Sequence, residues 1–232
     1  MNAELFERYG LRMLDGLVVT VELVVISVTL GALLALPIAL ARTSPSRLLR
    51  GVSFAYVGFF RGTPMLAQLF LVYYGSGQFR GALESVGLWW LFRDAFFCCI
   101  FTFTLNTAAY QSEILRGAMA SVPRGQSEAA WALGLRGAVV LFRVILPQAL
   151  IVALRPLGNE VILMIKGSAV ASIVTVYDIM GVADLAFARS FNLSVYLWAA
   201  VLYLVLVETL SRVWAVFERR LGAHLAVSAA RS

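Results

Sequence analysis

The chain is built of long apolar runs separated by short polar breaks, and runs of roughly 20 residues are long enough to cross a hydrocarbon core of about 30 Å. The first, about Leu14 to Ala41, carries Glu22 toward its outer end and stops at the turn-forming, basic segment RTSPSRLLR. A second, about Val52 to Tyr74, is interrupted by Arg61, Gly62, Thr63 and Pro64 before it resumes. The segment GSGQFRGALESVG predicts an external loop, followed by a third run over about Leu91 to Ile114. A fourth covers about Leu146 to Ile165 and a fifth about Val195 to Phe217. Between the third and fourth lies a long connection studded with Arg124, Glu128, Arg136 and Arg143. The stretch from Lys166 to Met180 holds Gly, Ser and Thr, which suits a re-entrant segment or a short shielded helix better than a sixth span. The pattern predicts an all-α, polytopic membrane protein of about five transmembrane helices. It forms one domain over residues 1–232, with a membrane core over about 14–217 and a polar loop over about 125–146.

Composition supports this reading. Of 232 residues, 61% are hydrophobic and only 14% charged, more apolar surface than one water-soluble domain can hide. The net charge of +6 could suggest nucleic acid, but lysine is almost absent and the arginines stand singly between apolar runs, with no basic stripe. Topology explains the excess instead. Arg42, Arg47 and Arg50 in the first loop, the arginines of the long connection, and Arg219, Arg220 and Arg231 in the tail mark cytoplasmic segments. With five spans the N-terminus lies outside and the C-terminus in the cytoplasm. Residues Met1 to Tyr9 do not resemble a cleaved signal peptide. Cys98 and Cys99, adjacent in an apolar run, read as core residues rather than a disulfide or metal pair. His224, the one histidine, lies in the tail, so a Ser-His hydrolase or a histidine metal site is poorly supported. A channel and an intramembrane enzyme remain the competing classes.

Three local features carry chemistry. In RGTP, Thr63 suits an N-cap and Pro64 the first position of a restarted helix, whose free N–H groups beside Arg61 could hold a carboxylate. The alternative is a kink in which Arg61 pairs with an acid or snorkels. Glu160 lies 13 residues beyond Pro147, which places it about 20 Å above the cytoplasmic helix start, near mid-bilayer. It either meets substrate or makes a structural ion pair or hydrogen bond. Asn106, Gln111 and Asn159 read as interhelical hydrogen-bonding groups. In EAAWALGLRGAVVLFRVILPQAL, a short amphipathic helix, a left-handed turn at Gly134 and a second helix toward Pro147 make an elbow suited to a protein partner.

That last segment resembles the EAA loop of bacterial ABC importer permeases, through Glu128, Ala129, Ala130, Gly134, Leu146 and Pro147. FRGTPMLAQLFLVYYG (Phe60 to Gly75) and LNTAAYQSEILRGA (Leu105 to Ala118) resemble its polar amino acid branch, near the histidine and opine permeases. The resemblance implies a bacterial inner-membrane permease subunit that forms the path for a polar amino acid, basic ones and opines foremost, by ATP-driven alternating access. A neutral polar amino acid is the alternative substrate. It implies as partners a second permease chain, the same or a sister, together with cytoplasmic ATP-binding subunits and a periplasmic substrate-binding protein. ATP would be held by the partner ATPase, and this chain would bind no cofactor itself. Consistent with that, it has no GxxxxGK[ST] phosphate loop. The implied substrate-binding residues are Arg61, Thr63 and Glu160, and the implied ATPase-coupling residues Glu128, Ala129, Ala130 and Gly134. Lys166, Gly167, Ser168 and Ala169 depart from the family pattern, which has an acid after the lysine and a Thr-Ser pair.

Overall fold

The computed structural model describes the backbone of residues 3–229 and the side chains of 7–220; His224 and Arg231 lie outside the described side chains. The described chain is nearly all helical and contains no strand. The first helix, α1 (Ala3–Thr43), has 41 residues and is therefore about 60 Å long. It starts well before the apolar run because Arg8, Arg12 and Asp15 interrupt hydropathy without interrupting the helix. Ser46 then caps α2 (Arg47–Gly62), and α3 (Met65–Gly75) restarts after a two-residue break at Thr63 and Pro64.

The expected external loop is ordered as a 3₁₀ turn over Ser76–Phe79 and two short helices, α4 (Arg80–Ser85) and α5 (Trp89–Phe92). The third crossing is α6 (Ala95–Ser121), which begins where the Asp94 carboxylate accepts from Phe96 N, a few residues later than hydropathy suggests. After α7 (Arg124–Ala132), one continuous helical run goes from Ala138 to Val174, made of α8 (Ala138–Val140), a π-helical turn over Leu141–Ile145, α9 (Leu146–Gly167) and a 3₁₀ turn over Ser168–Val174. The expected separate second helix of the loop is thus the start of the fourth crossing. Pro147 lacks an N–H and crowds the carbonyl four residues earlier, and the wide π turn relieves that clash inside an unbroken helix.

The doubtful stretch from Lys166 to Met180 contains the end of α9, the 3₁₀ turn and the start of α10 (Ile179–Ser190). At 12 residues α10 is about 18 Å long and too short to span. It is packed between α1 and the last helix, α11 (Ser194–Ala229), through Tyr9, Met13, Val182, Ala186, Val195 and Ala199.

Three described stretches are individually long and apolar enough to cross a membrane: Glu7–Thr43, Ala138–Val174 and Ser194–Arg220. The broken pair α2 and α3 and the more polar α6 bring the membrane-crossing elements to five. The largest interface joins α1 to α6, and α6 also carries α2, α3 and α9 on its flanks. Among its buried residues are Cys98, Cys99, Thr102, Phe103, Asn106, Thr107, Gln111 and Ser112, which makes α6 the polar spine of the bundle. At its lower end Glu113 receives Arg42 Nε of α1 at 2.8 Å and Arg116 Nη2 at 2.9 Å, with the Arg42 guanidinium also over the Phe54 ring of α2.

Candidate functional site

The break between α2 and α3 is held open by side chains rather than by a cap. Thr63 ends α2, its N–H bonding back to Phe59 O, and its hydroxyl donates to the same carbonyl at 2.8 Å. It is therefore not the expected N-cap of α3, a position taken by Pro64, which has no side-chain donor or acceptor to offer. The bond from Gln68 N to Pro64 O closes the first turn of α3, so the N–H groups of Met65, Leu66 and Ala67 have no intrahelical acceptor. The organiser is Gln68, whose Nε2 donates to Phe60 O, Thr63 O and Thr63 Oγ1 at 2.8–3.0 Å. Its Oε1 in turn accepts from Asn106 Nδ2 at 2.9 Å, which fastens the break to α6. Tyr56 adds a second link, its hydroxyl donating to Leu105 O at 2.6 Å. Sequence reasoning passed over Gln68, although a carboxamide inside the run MLAQLFLVYYG is a visible signal.

Beside the break lies a cavity of about 330 Å³ lined by Thr63, Pro64, Met65, Asn106, Tyr110, Glu160, Leu163 and Met164. Glu160 is 6% exposed and reaches this cavity from α9. Its Oε1 accepts from Thr107 Oγ1 at 3.1 Å, and Thr107 accepts from Gln111 Nε2 at 3.0 Å. Arg61 is exposed beside the cavity, with its guanidinium 5.2 Å from the centroid of Tyr110, a lining residue. Arg61 and Glu160 do not form an ion pair among the described residues, so the permanent structural pair considered from sequence is absent. Of the three predicted interhelical amides, Asn106 and Gln111 bridge helices, whereas Asn159 is exposed and makes no such bond. The reason is its angular position, since Asn159 follows Val152, Arg155 and Pro156 along the open face of α9.

The second group of predicted residues lies elsewhere on the chain. In α7, Glu128 and Ala129 are exposed, Ala130 is 4% exposed, and Trp131 and Leu133 protrude at 56% and 81%. The helix stops at Gly134, whose φ of +79° is the left-handed conformation expected there. Leu135 N bonds to Ala130 O at 3.0 Å, the six-to-one bond of a Schellman turn. Gly137, at φ +56°, makes a second reversal that the sequence reading did not single out. The result is a short helix with an apolar exposed side and a fixed exit angle. Gln126 Oε1, 3.4 Å from Gln148 Nε2, ties it to the base of α9.

Five membrane-crossing elements, a broken second crossing beside a cavity that holds a buried carboxylate, and a protruding elbow suit a membrane transport permease. The chain belongs to the family described as binding-protein-dependent transport system inner membrane components, which matches residues 27–223. It is thus a transport subunit of the inner membrane rather than itself an enzyme. Among known proteins it is 40% identical to the nopaline transport system permease protein NocM of Agrobacterium fabrum, over 92% of this chain and 89% of that one. It is also 40% identical to the L-cystine transport system permease protein TcyB of Bacillus subtilis, over 91% and 87% of the two chains. A solved structure described as an amino acid ABC transporter with histidines superposes with a TM-score of 0.82 at 33% identity, covering 95% of this chain and 99% of that one. The MetNI methionine transporter in an inward-facing conformation shares the fold, with a TM-score of 0.77 at 20% identity over 95% and 99% of the chains.

Proposed function

We propose that the cavity beside the α2–α3 break is the substrate site of an ATP-driven amino acid importer, and that it takes a zwitterionic substrate with a cationic side chain. The observation that carries this reading is the joining of two opposite poles across one cavity. The cavity is lined by the buried Glu160 carboxylate and by Thr63, Pro64 and Met65 at the start of α3, with Arg61 nearby. A carboxylate withdrawn from water favours a partner that brings compensating positive charge, and an ammonium or guanidinium does so. The first turn of a restarted helix carries partial positive charge and suits the substrate carboxylate. Relatives that carry nopaline, octopine and arginine in their names support a basic amino acid or opine. The cystine relative supports a neutral polar amino acid as the second reading.

The remainder of the machine follows from the same reading. The elbow from residue 125 to 134 docks on a cytoplasmic ATP-binding subunit, with Glu128 meeting a basic group and Ala129, Ala130 and Gly134 shaping the contact. A second permease chain, the same or a sister, covers the open side of the bundle, and a periplasmic binding protein delivers substrate. The N-terminus is periplasmic and the C-terminus cytoplasmic, a topology that the arginine-rich first loop, elbow and tail support. ATP stays on the partner and drives alternating access. The test is Glu160→Gln in the complete reconstituted complex, measuring arginine uptake and ATP turnover in one preparation. Uptake should fall far more than turnover. Equal loss of both, or undiminished uptake, removes Glu160 from the site.

A further inference from the structure

The orientation of Glu160 is set from α6 through a chain of hydrogen bonds whose direction is fixed. Gln111 on α6 faces the backbone carbonyl of Val28 on α1 at 3.2 Å. A carbonyl only accepts, so the Gln111 atom turned toward it is the amide nitrogen. The same nitrogen donates to Thr107 Oγ1 at 3.0 Å, which occupies that oxygen as an acceptor. The hydroxyl proton of Thr107 is then left for Glu160 Oε1, 3.1 Å away. Thr107 is fully buried and Gln111 4% exposed, so water does not compete for these groups. The helices approach so closely that a Cβ on Gly31 of α1 would lie 2.5 Å from Thr107 Cγ2 and 3.1 Å from Gln111 Nε2. Gly31 thus closes the α1 side of both side chains. Glu160 lines the cavity, and its other oxygen makes no hydrogen bond among the described residues.

We propose that Thr107 is the positioning residue of the substrate site, holding one oxygen of Glu160 as a hydrogen-bond acceptor so that the other is presented to the cavity. The inference rests on the reading of Glu160 as the acidic pole of that site. With one oxygen held by Thr107, the other oxygen of an ionised Glu160 also accepts, so the substrate atom meeting it must donate, as the N–H groups of an ammonium or guanidinium do. The adjacent residue, Asn106, anchors the opposite wall through Gln68, so two successive residues of α6 set the spacing between the two poles.

The experiment compares wild type, Thr107→Val, Thr107→Ser, Glu160→Gln and the double variant Thr107→Val/Glu160→Gln. All are measured in the complete complex, reconstituted with its ATPase subunits and binding protein, with radiolabelled arginine as probe. Valine keeps the shape of threonine and removes the donor. Arginine transported per ATP hydrolysed should fall about tenfold in Thr107→Val, a loss typical of a hydrogen bond to a charged group. Thr107→Ser should recover to within about twofold of wild type, since it restores the hydroxyl. The double variant should be no worse than Glu160→Gln alone, because both substitutions act on one interaction. Loss in Glu160→Gln with normal transport in Thr107→Val would overturn the positioning role and leave the site standing. Normal transport in Glu160→Gln would overturn the site and the role together. A parallel fall of uptake and ATP turnover in both the Val and Ser variants would show Thr107 to be structural, and would equally overturn the proposal.

Discussion

Replacing Gly134 by valine separates the shape of the elbow from its chemistry. Gly134 holds φ at +79°, and an ideal Cβ built there meets nothing within 4 Å, so a larger side chain has space but not the backbone conformation. A residue with a Cβ pays about 1–2 kcal/mol in the left-handed region, and valine, branched at Cβ, stands at the upper end. With 1.4 kcal/mol per factor of ten, the fraction of elbows in the docking conformation should fall about 5- to 30-fold. Alanine should fall at the lower end of that range. Asparagine, which tolerates this conformation, should lie close to glycine. The assay is ATP hydrolysis stimulated by substrate-loaded binding protein, beside co-purification of the ATPase with each permease variant. The order Gly, Asn, Ala, Val in decreasing stimulation is expected, with membrane insertion unchanged throughout. Equal stimulation across all four would refute the argument that a left-handed stop at Gly134 aims α7 at its partner.

Three further outcomes follow from the packing. In intact cells a cysteine at Ser46 should be shielded from an impermeant thiol reagent and one at Gln78 labelled, with no background from the buried Cys98 and Cys99; labelling of Ser46 from outside would overturn the orientation. Glu113→Gln leaves Arg42 and Arg116 facing one another without their shared carboxylate and should cost about 2 kcal/mol, read as a lower melting temperature of the purified complex. An unchanged melting temperature would show that this cluster does not hold α1 to α6. Gln68→Leu removes four hydrogen bonds at the α2–α3 break. It should cost about 2–4 kcal/mol and abolish uptake, because the Thr63 carbonyl loses its Gln68 donor and Asn106 keeps only its bond to Phe60 O; wild-type uptake would show that the break keeps its shape without Gln68.

Much of the fold was legible because hydropathy reports what lipid demands. Each apolar run became a helix, and the stop at Arg61 to Pro64 became a real interruption between α2 and α3. Hydropathy says less where helix and membrane part company. It placed the start of α1 at Leu14, since arginines end an apolar run but favour rather than forbid helix. It also missed that the helix from Ala138 runs unbroken through Pro147, because a π turn at Leu141–Ile145 is invisible to composition. At the cavity, the sequence singled out Glu160 and Thr63 as unusual residues at membrane depth. The side chain of Thr63 proved to turn back into α2, a choice set by Gln68 and Asn106 from other helices rather than by local capping rules. Thr107 gave no signal of its own, since Ser and Thr are common in membrane helices. Only the meeting of α1, α6 and α9 shows why a hydroxyl stands there.

The most direct test of the central claim is ATP-dependent uptake by proteoliposomes holding this chain with its second permease, ATPase and binding protein, with radiolabelled arginine as substrate. Unlabelled lysine, a neutral polar amino acid and glutamate serve as competitors, and ATP hydrolysis is followed in parallel. ATP-driven arginine accumulation that lysine suppresses and glutamate does not is expected, with Glu160→Gln losing transport at retained ATP turnover. Accumulation without ATP, or a complex that glutamate inhibits as strongly as lysine, would contradict that claim.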